Sequence, residues 1–158
     1  MSTQIIALLV ALHALSSTLW VGGMFFAYVA LRPVAAQLLE APLRTRLWQD
    51  TFARFFPWVW ASVALLLLTG LALIFKVYGG MGAVGWHVHT MLLLGLIMMA
   101  IFAHIVFAPY RRMRKAIAAG DWNEAVRRLG QIRVFIGINL VLGLITVILG
   151  TGGRWWVW

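Results

Sequence analysis

The sequence predicts an all-α protein, a four-helix transmembrane bundle with both termini on the outer, periplasmic side. Three observations lead there. The 158 residues are 63% hydrophobic and only 11% charged, against roughly 45–50% apolar and about 25% charged in soluble proteins, so the chain has too little polar surface to coat a water-facing globule. Four stretches free of Lys, Arg, Asp and Glu are long enough to cross a bilayer. The basic residues are segregated into two of the segments between them.

The first uncharged stretch covers residues 2–31, longer than the roughly 20 residues that cross a hydrocarbon core of about 30 Å. It lacks the basic leader of a secretory signal and outruns the usual apolar core of one, so it is expected to stay as the first span. The others cover residues 55–75, 77–110 and 134–153, and as helices each closes its backbone hydrogen bonds internally, as lipid demands. The expected helices are about 3–31, 55–76, 84–110 and 132–153, in one integral membrane domain over 1–158.

Orientation follows from charge. Residues 32–54 carry Arg32, Arg44, Arg46 and Arg54, and residues 111–133 carry seven more, together eleven of the thirteen basic residues. The segment between helices two and three has only Lys76 and the C-terminal tail only Arg154. Positive-inside counting therefore places both termini outside, and the expected location is the bacterial inner (plasma) membrane. The net charge of +9 is explained by topology and anionic headgroups, so membrane lipid is the expected partner and nucleic acid is not. A homo-oligomer or a redox partner protein is left open.

Most tryptophans fall near the predicted interfaces, Trp48, Trp58 and Trp60 on one side and Trp86, Trp155, Trp156 and Trp158 on the other, and read as aromatic belts. Both basic segments look partly helical. In the second, Asp121 is placed to cap a short surface helix and Glu124, three residues on, to answer it as a capping box.

Polar groups inside spans usually face the bundle interior and mark function. His13 lies about nine residues into helix one, roughly 13 Å below its outer end. His87 and His89 open helix three about 200° apart, and His89 is taken as the inward one, at a depth near that of His13. His104 follows His89 by fifteen residues, on broadly the same face and about 22 Å further along. For each histidine the plainer reading is a hydrogen-bonded core or interfacial group.

His13, Ser16, Ser17, Trp20 and Met24 form one stripe on helix one, in which Ser17 and Trp20 are candidate ligand contacts, or small and packing residues admitting a close neighbour. Asn139 is a lone amide in helix four, with Gly137 and Gly143 making room for a neighbour or a flat cofactor. Soft thioether and imidazole ligands suit Cu(I), but Met24, Met91, Met98 and Met99 are scattered. The absence of cysteine excludes disulfides and thiolate sites, and the four acids all fall in the basic segments, which excludes paired-carboxylate chemistry inside the membrane.

The stretch from Leu12 and His13 through Trp20, Gly22, Gly23 and Phe25 to Arg32 and Pro33 resembles the first-helix signature of the CopD-like integral membrane family, which joins copper-resistance protein D to membrane protoporphyrinogen oxidases of the HemJ type. Gly70, Trp86 and His104 extend the resemblance loosely over the chain. The resemblance implies a haem b axial ligand at His13. The oxidase branch has a lysine early in helix three, where this sequence has none between Lys76 and Lys115.

The leading expectation is a haem b protein of electron transfer or porphyrin-linked redox chemistry, its iron held by His13 and His89, with His104, Trp20, Ser17 and Asn139 as further cofactor contacts. The alternative is a copper-handling transport or accessory protein using His13, His89 and Met24. A purely structural membrane subunit is the third.

Overall fold

The computed structural model describes residues 2–156, and the belt position expected at Trp158 lies outside them. Among the described residues all regular structure is helical, and four helical rods are long and apolar enough to span a membrane, Thr3–Leu38, Ala41–Lys76, Trp86–Ala118 and Trp122–Gly152.

The first and third rods are built alike. Helix α1 (Thr3–Phe25) passes through a π-helical turn, Phe26–Leu31, into α2 (Arg32–Leu38). Pro33 stands in the first turn of α2, where a proline lacks an N–H and its ring crowds the carbonyl four residues back. A widened turn just before it relieves that crowding without ending the helix. After α3 (Ala41–Lys76), α4 (Trp86–Ile105) does the same through Val106–Tyr110, a π-helical turn containing Pro109, into α5 (Arg111–Ala118).

Helix α3 opens fourteen residues before the expected position 55, with Pro42 in its first turn, and α6 (Trp122–Gly152) opens ten before the expected 132. The basic segments are therefore mostly helix. A 36-residue helix such as α3 is about 54 Å long, well beyond a hydrocarbon core of about 30 Å, and its surplus carries the arginines.

Between α5 and α6 the chain reverses at Gly120, with φ +72°. The Gly120 N–H donates to Ile117 O and the Asp121 N–H to Ala116 O, the paired bonds of a Schellman ending. Asp121 then caps α6, its Oδ1 accepting from the Glu124 N–H at 2.9 Å. The expected capping box is only half made. With the Asp121 N–H already bonded, the Glu124 carboxylate accepts from Arg127 Nε at 2.7 Å and Arg128 Nε at 2.6 Å, and charge-assisted bonds outcompete one to a neutral amide. Nor does α6 stop as a short surface helix: it continues directly into the fourth span.

Helix α1 packs chiefly on α3 and α4 on α6, while α6 also touches α1 and α3. Trp48, Phe52 and Phe56 recur every four residues along α3 and form an aromatic ladder, which meets Tyr110 and Phe102 edge-on. Trp48 was expected at the membrane interface and is buried instead, because α3 already includes it and turns it to the same face as Phe52. Trp58, Trp60, Trp86, Trp155 and Trp156 are exposed. So are Leu8, Leu19, Leu68, Leu93, Val141 and Ile148, an apolar exterior suited to lipid.

Candidate functional site

His13 is half-buried on α1 and its ring turns toward α3. Its Nδ1 lies 2.8 Å from Thr69 Oγ1. The Thr69 hydroxyl has one proton, donated to the Leu65 carbonyl one turn back, so toward His13 it acts as acceptor. The proton of the neutral imidazole is thereby held on Nδ1, and the lone pair sits on Nε2. A hydrogen bond that fixes one ring nitrogen and frees the other is what orients histidines that ligate metals. Gly70 leaves the ring room, since a Cβ there would lie 3.3 Å from His13 Cε1 and push it back by a few tenths of an ångström.

Below His13 on the same face, Ser16, Trp20 and Met24 are buried and Ser17 is half-buried. The Trp20 ring meets Phe102 of α4 in a T-shaped contact with centroids 6.1 Å apart.

The helix-three histidines divide differently from the expectation. His89 is exposed and His87 half-buried. On α4 the packed stripe runs His87, Met91, Met98, Phe102 and Ile105, at helical spacing. Met91 lies against Gly150 and Met98 against Gly143 of α6, and His87 fits so closely that a Cβ on Gly153 would fall 2.6 Å from its own Cβ. His89 is about 200° from that stripe, so it faces outward. His104 shares the outward side and is exposed, its ring edge-on to Phe135 at 4.9 Å.

Asn139 is the most enclosed of the expected site residues, 1% exposed. Its Nδ2 donates to the Met98 carbonyl at 3.1 Å. Its Oδ1 is buried with no hydrogen-bond partner.

These positions do not fit a haem between helices one and three. A bis-imidazole iron needs two rings pointing into one interior space, and His13 is tied to α3 while His89 and His104 face outward. Trp20, Phe56 and Phe102, packed ring against ring, fill the bundle beneath His13. Among the described residues no three His, Asp or Glu side chains cluster closely enough to hold a metal, so metal-binding capacity in the bundle rests on single imidazoles, thioethers and an amide.

Thr69 is the residue that sequence reasoning passed over. Its signal was available: Ser62 and Thr69, seven residues apart in an otherwise apolar span, lie on one helix face, and both are buried.

Four membrane-length helices around a core with an imidazole, methionines and one amide define a polytopic helical membrane protein with soft donors in its interior. The family model described as copper resistance protein D matches residues 49–152, about two thirds of the chain, and the chain belongs to that family. The match covers α4, α6 and most of α3, including Thr69, Met98 and Asn139, and leaves α1 outside. No curated protein and no solved structure matches the chain.

Proposed function

We propose that this chain handles copper in a bacterial inner membrane, taking a cuprous ion from the periplasmic side, where both termini lie. The family supports copper over haem. The single observation that supports the site is the His13–Thr69 hydrogen bond, with the Thr69 proton committed to Leu65.

The copper is cargo. His13 offers Nε2 as a neutral donor about 13 Å below the helix end, where a charged imidazole would be costly. Thr69 holds the ring in the ligating tautomer, and Gly70 lets it lie against α3. Ser17 and Trp20 continue that face inward toward Met24, which lies three turns down, too far along the helix to share an ion with His13. His89, at the terminal end of α4 and outward-facing, is assigned no part in this site.

The test is Cu(I) binding to the purified full chain in nanodiscs, by competition with a chromophoric chelator. His13→Ala is expected to lose an imidazole-ligated ion. Wild-type stoichiometry and affinity in that variant would remove the site. Stoichiometric haem in the purified wild type, lost in His13→Ala, would replace copper with the haem reading.

A further inference from the structure

Asn139 poses a separate problem. A buried acceptor without a donor costs about 1–3 kcal/mol, and in the middle of a lipid-embedded bundle no bulk water relieves it. The side chain is held in place, because Nδ2 is anchored on the Met98 carbonyl. Oδ1 is therefore fixed inside the bundle, buried and unpaired.

Two methionines lie at that level. Met98, 3% exposed, is joined to Asn139 through its backbone, and its Cε would come 3.2 Å from a Cβ on Gly143, one turn from Asn139 on the same face of α6. Met24, 5% exposed, is placed by register. Gly137 meets Tyr28 and Gly143 meets Val21, which puts Met24 at about the height of Asn139 along the bundle. Met24 and Met98 belong to the same buried cluster as Trp20, Phe56 and Phe102.

The buried donors at this level are two thioethers and one amide oxygen, all neutral, while the half-buried Tyr28 hydroxyl lies against Gly137, about 200° around α6 from Asn139. A buried water takes two to four polar partners, more than sulfur and aromatic faces provide. A divalent ion needs charged ligands to offset its desolvation. Thioethers select soft, monovalent Cu(I), and the amide oxygen adds a dipole.

We propose that Asn139 Oδ1 and the thioethers of Met98 and Met24 form a second, mid-bundle site for Cu(I). The identity of the ion rests on the copper reading above; the location does not. Met24 is eleven residues beyond His13, about 16 Å along α1, so one ion cannot touch both, and the two sites lie in series along the bundle.

The experiment uses the full chain in nanodiscs with Cu(I), and Ag(I) as a redox-inert probe. Stoichiometry is measured for wild type, His13→Ala, Asn139→Leu and the double variant Met24→Leu/Met98→Leu, whose swaps nearly conserve volume. Selenomethionine-labelled wild type is examined at the selenium edge, so that the result does not depend on variants folding. The expected result is two ions in wild type, a selenium–metal contact in the labelled protein, loss of one ion in the double methionine variant with the imidazole-ligated ion retained, at least tenfold weaker binding at the sulfur site in Asn139→Leu, and the converse loss in His13→Ala. A labelled protein loaded with metal but showing no selenium–metal contact overturns the mid-bundle site while leaving His13 standing. A selenium contact retained in His13→Ala, with no ion lost, removes the outer site and leaves the inner one.

Discussion

Nδ1 of His13 on α1 and Oγ1 of Thr69 on α3 lie 2.8 Å apart, and since Thr69 donates its own proton to Leu65, the histidine is the donor of that bond. A contact between the first two spans thus decides which nitrogen of the ring keeps its lone pair free. Thr69→Val keeps the shape and removes the acceptor. Cu(I) affinity at the imidazole site is expected to fall by about 10–100-fold, the usual effect of losing such an orienting partner, and Thr69→Ser is expected to restore it. Nitrogen NMR of the His13 ring separates positioning from packing: Thr69→Val should mix the two tautomers. Wild-type affinity and a single tautomer in Thr69→Val would show that the bond does no positioning.

Gly22 and Gly23 look equivalent in the sequence and are not. A Cβ on Gly23 would fall 2.2 Å from the Phe55 ring, whereas one on Gly22 meets nothing within 4 Å. Gly23→Ala is expected to destabilise the bundle by about 1–3 kcal/mol, the usual cost of overpacking. Gly22→Ala should be neutral or slightly stabilising, since alanine is the better helix former. Unfolding in mixed detergent micelles measures both, and Phe55→Leu should recover most of the loss in Gly23→Ala. Equal stability of the two single variants would contradict the close approach of α1 and α3.

The four spans were legible because lipid imposes one strong rule, long uncharged stretches, and the stripe from His13 to Met24 because helical spacing is regular. Two of the four helix starts, at Thr3 and near Trp86, were legible and the other two were not. Ala41 and Trp122 begin helices inside charged sequence, where nothing in the residue pattern distinguishes a surface helix from the extension of a span. Choosing between His87 and His89 required knowing which face of α4 packs on α6. The stripe through Met91, Met98 and Phe102 held that information, but in a helix apolar on every side the inward face carries little contrast. The bond to Thr69 is a tertiary fact, and only the pairing of α1 with α3 reveals it.

Glu124 gives a pH dependence with a definite sign. It lies at the start of α6, before the uncharged part that crosses the membrane, and its hydrogen bonds to Arg127 and then Arg128 hold its carboxyl below the ordinary carboxylate value. A depressed folded pKa contributes stability above the unfolded value, about 4.3, and that contribution is lost as pH falls through the folded value. Protection of the amides in the first turns of α6, taken relative to the intrinsic exchange rate at each pH, should therefore fall on acidification, and Glu124→Gln should make that protection low and far less pH-dependent. A carbon NMR titration of the Glu124 carboxyl with an unshifted midpoint would contradict the pairing.

The direction of the proposed copper handling rests on orientation, and the expected orientation on the eleven basic residues of the two arginine-rich segments. Four antiparallel rods place the start of α1 and the end of α6 at the opposite end. The positive-inside rule predicts that the arginine-bearing extensions of α3, α5 and α6 face the cytoplasm. A reporter active only in the periplasm should work when joined after residue 158, and one active only in the cytoplasm should work when inserted at the Gly120 turn. The reverse pattern would turn the bundle over, putting His13 near the cytoplasmic face and making it a release site for copper instead of an uptake site. It would leave the two proposed binding sites in place, because each depends on contacts within the bundle that are the same in either orientation.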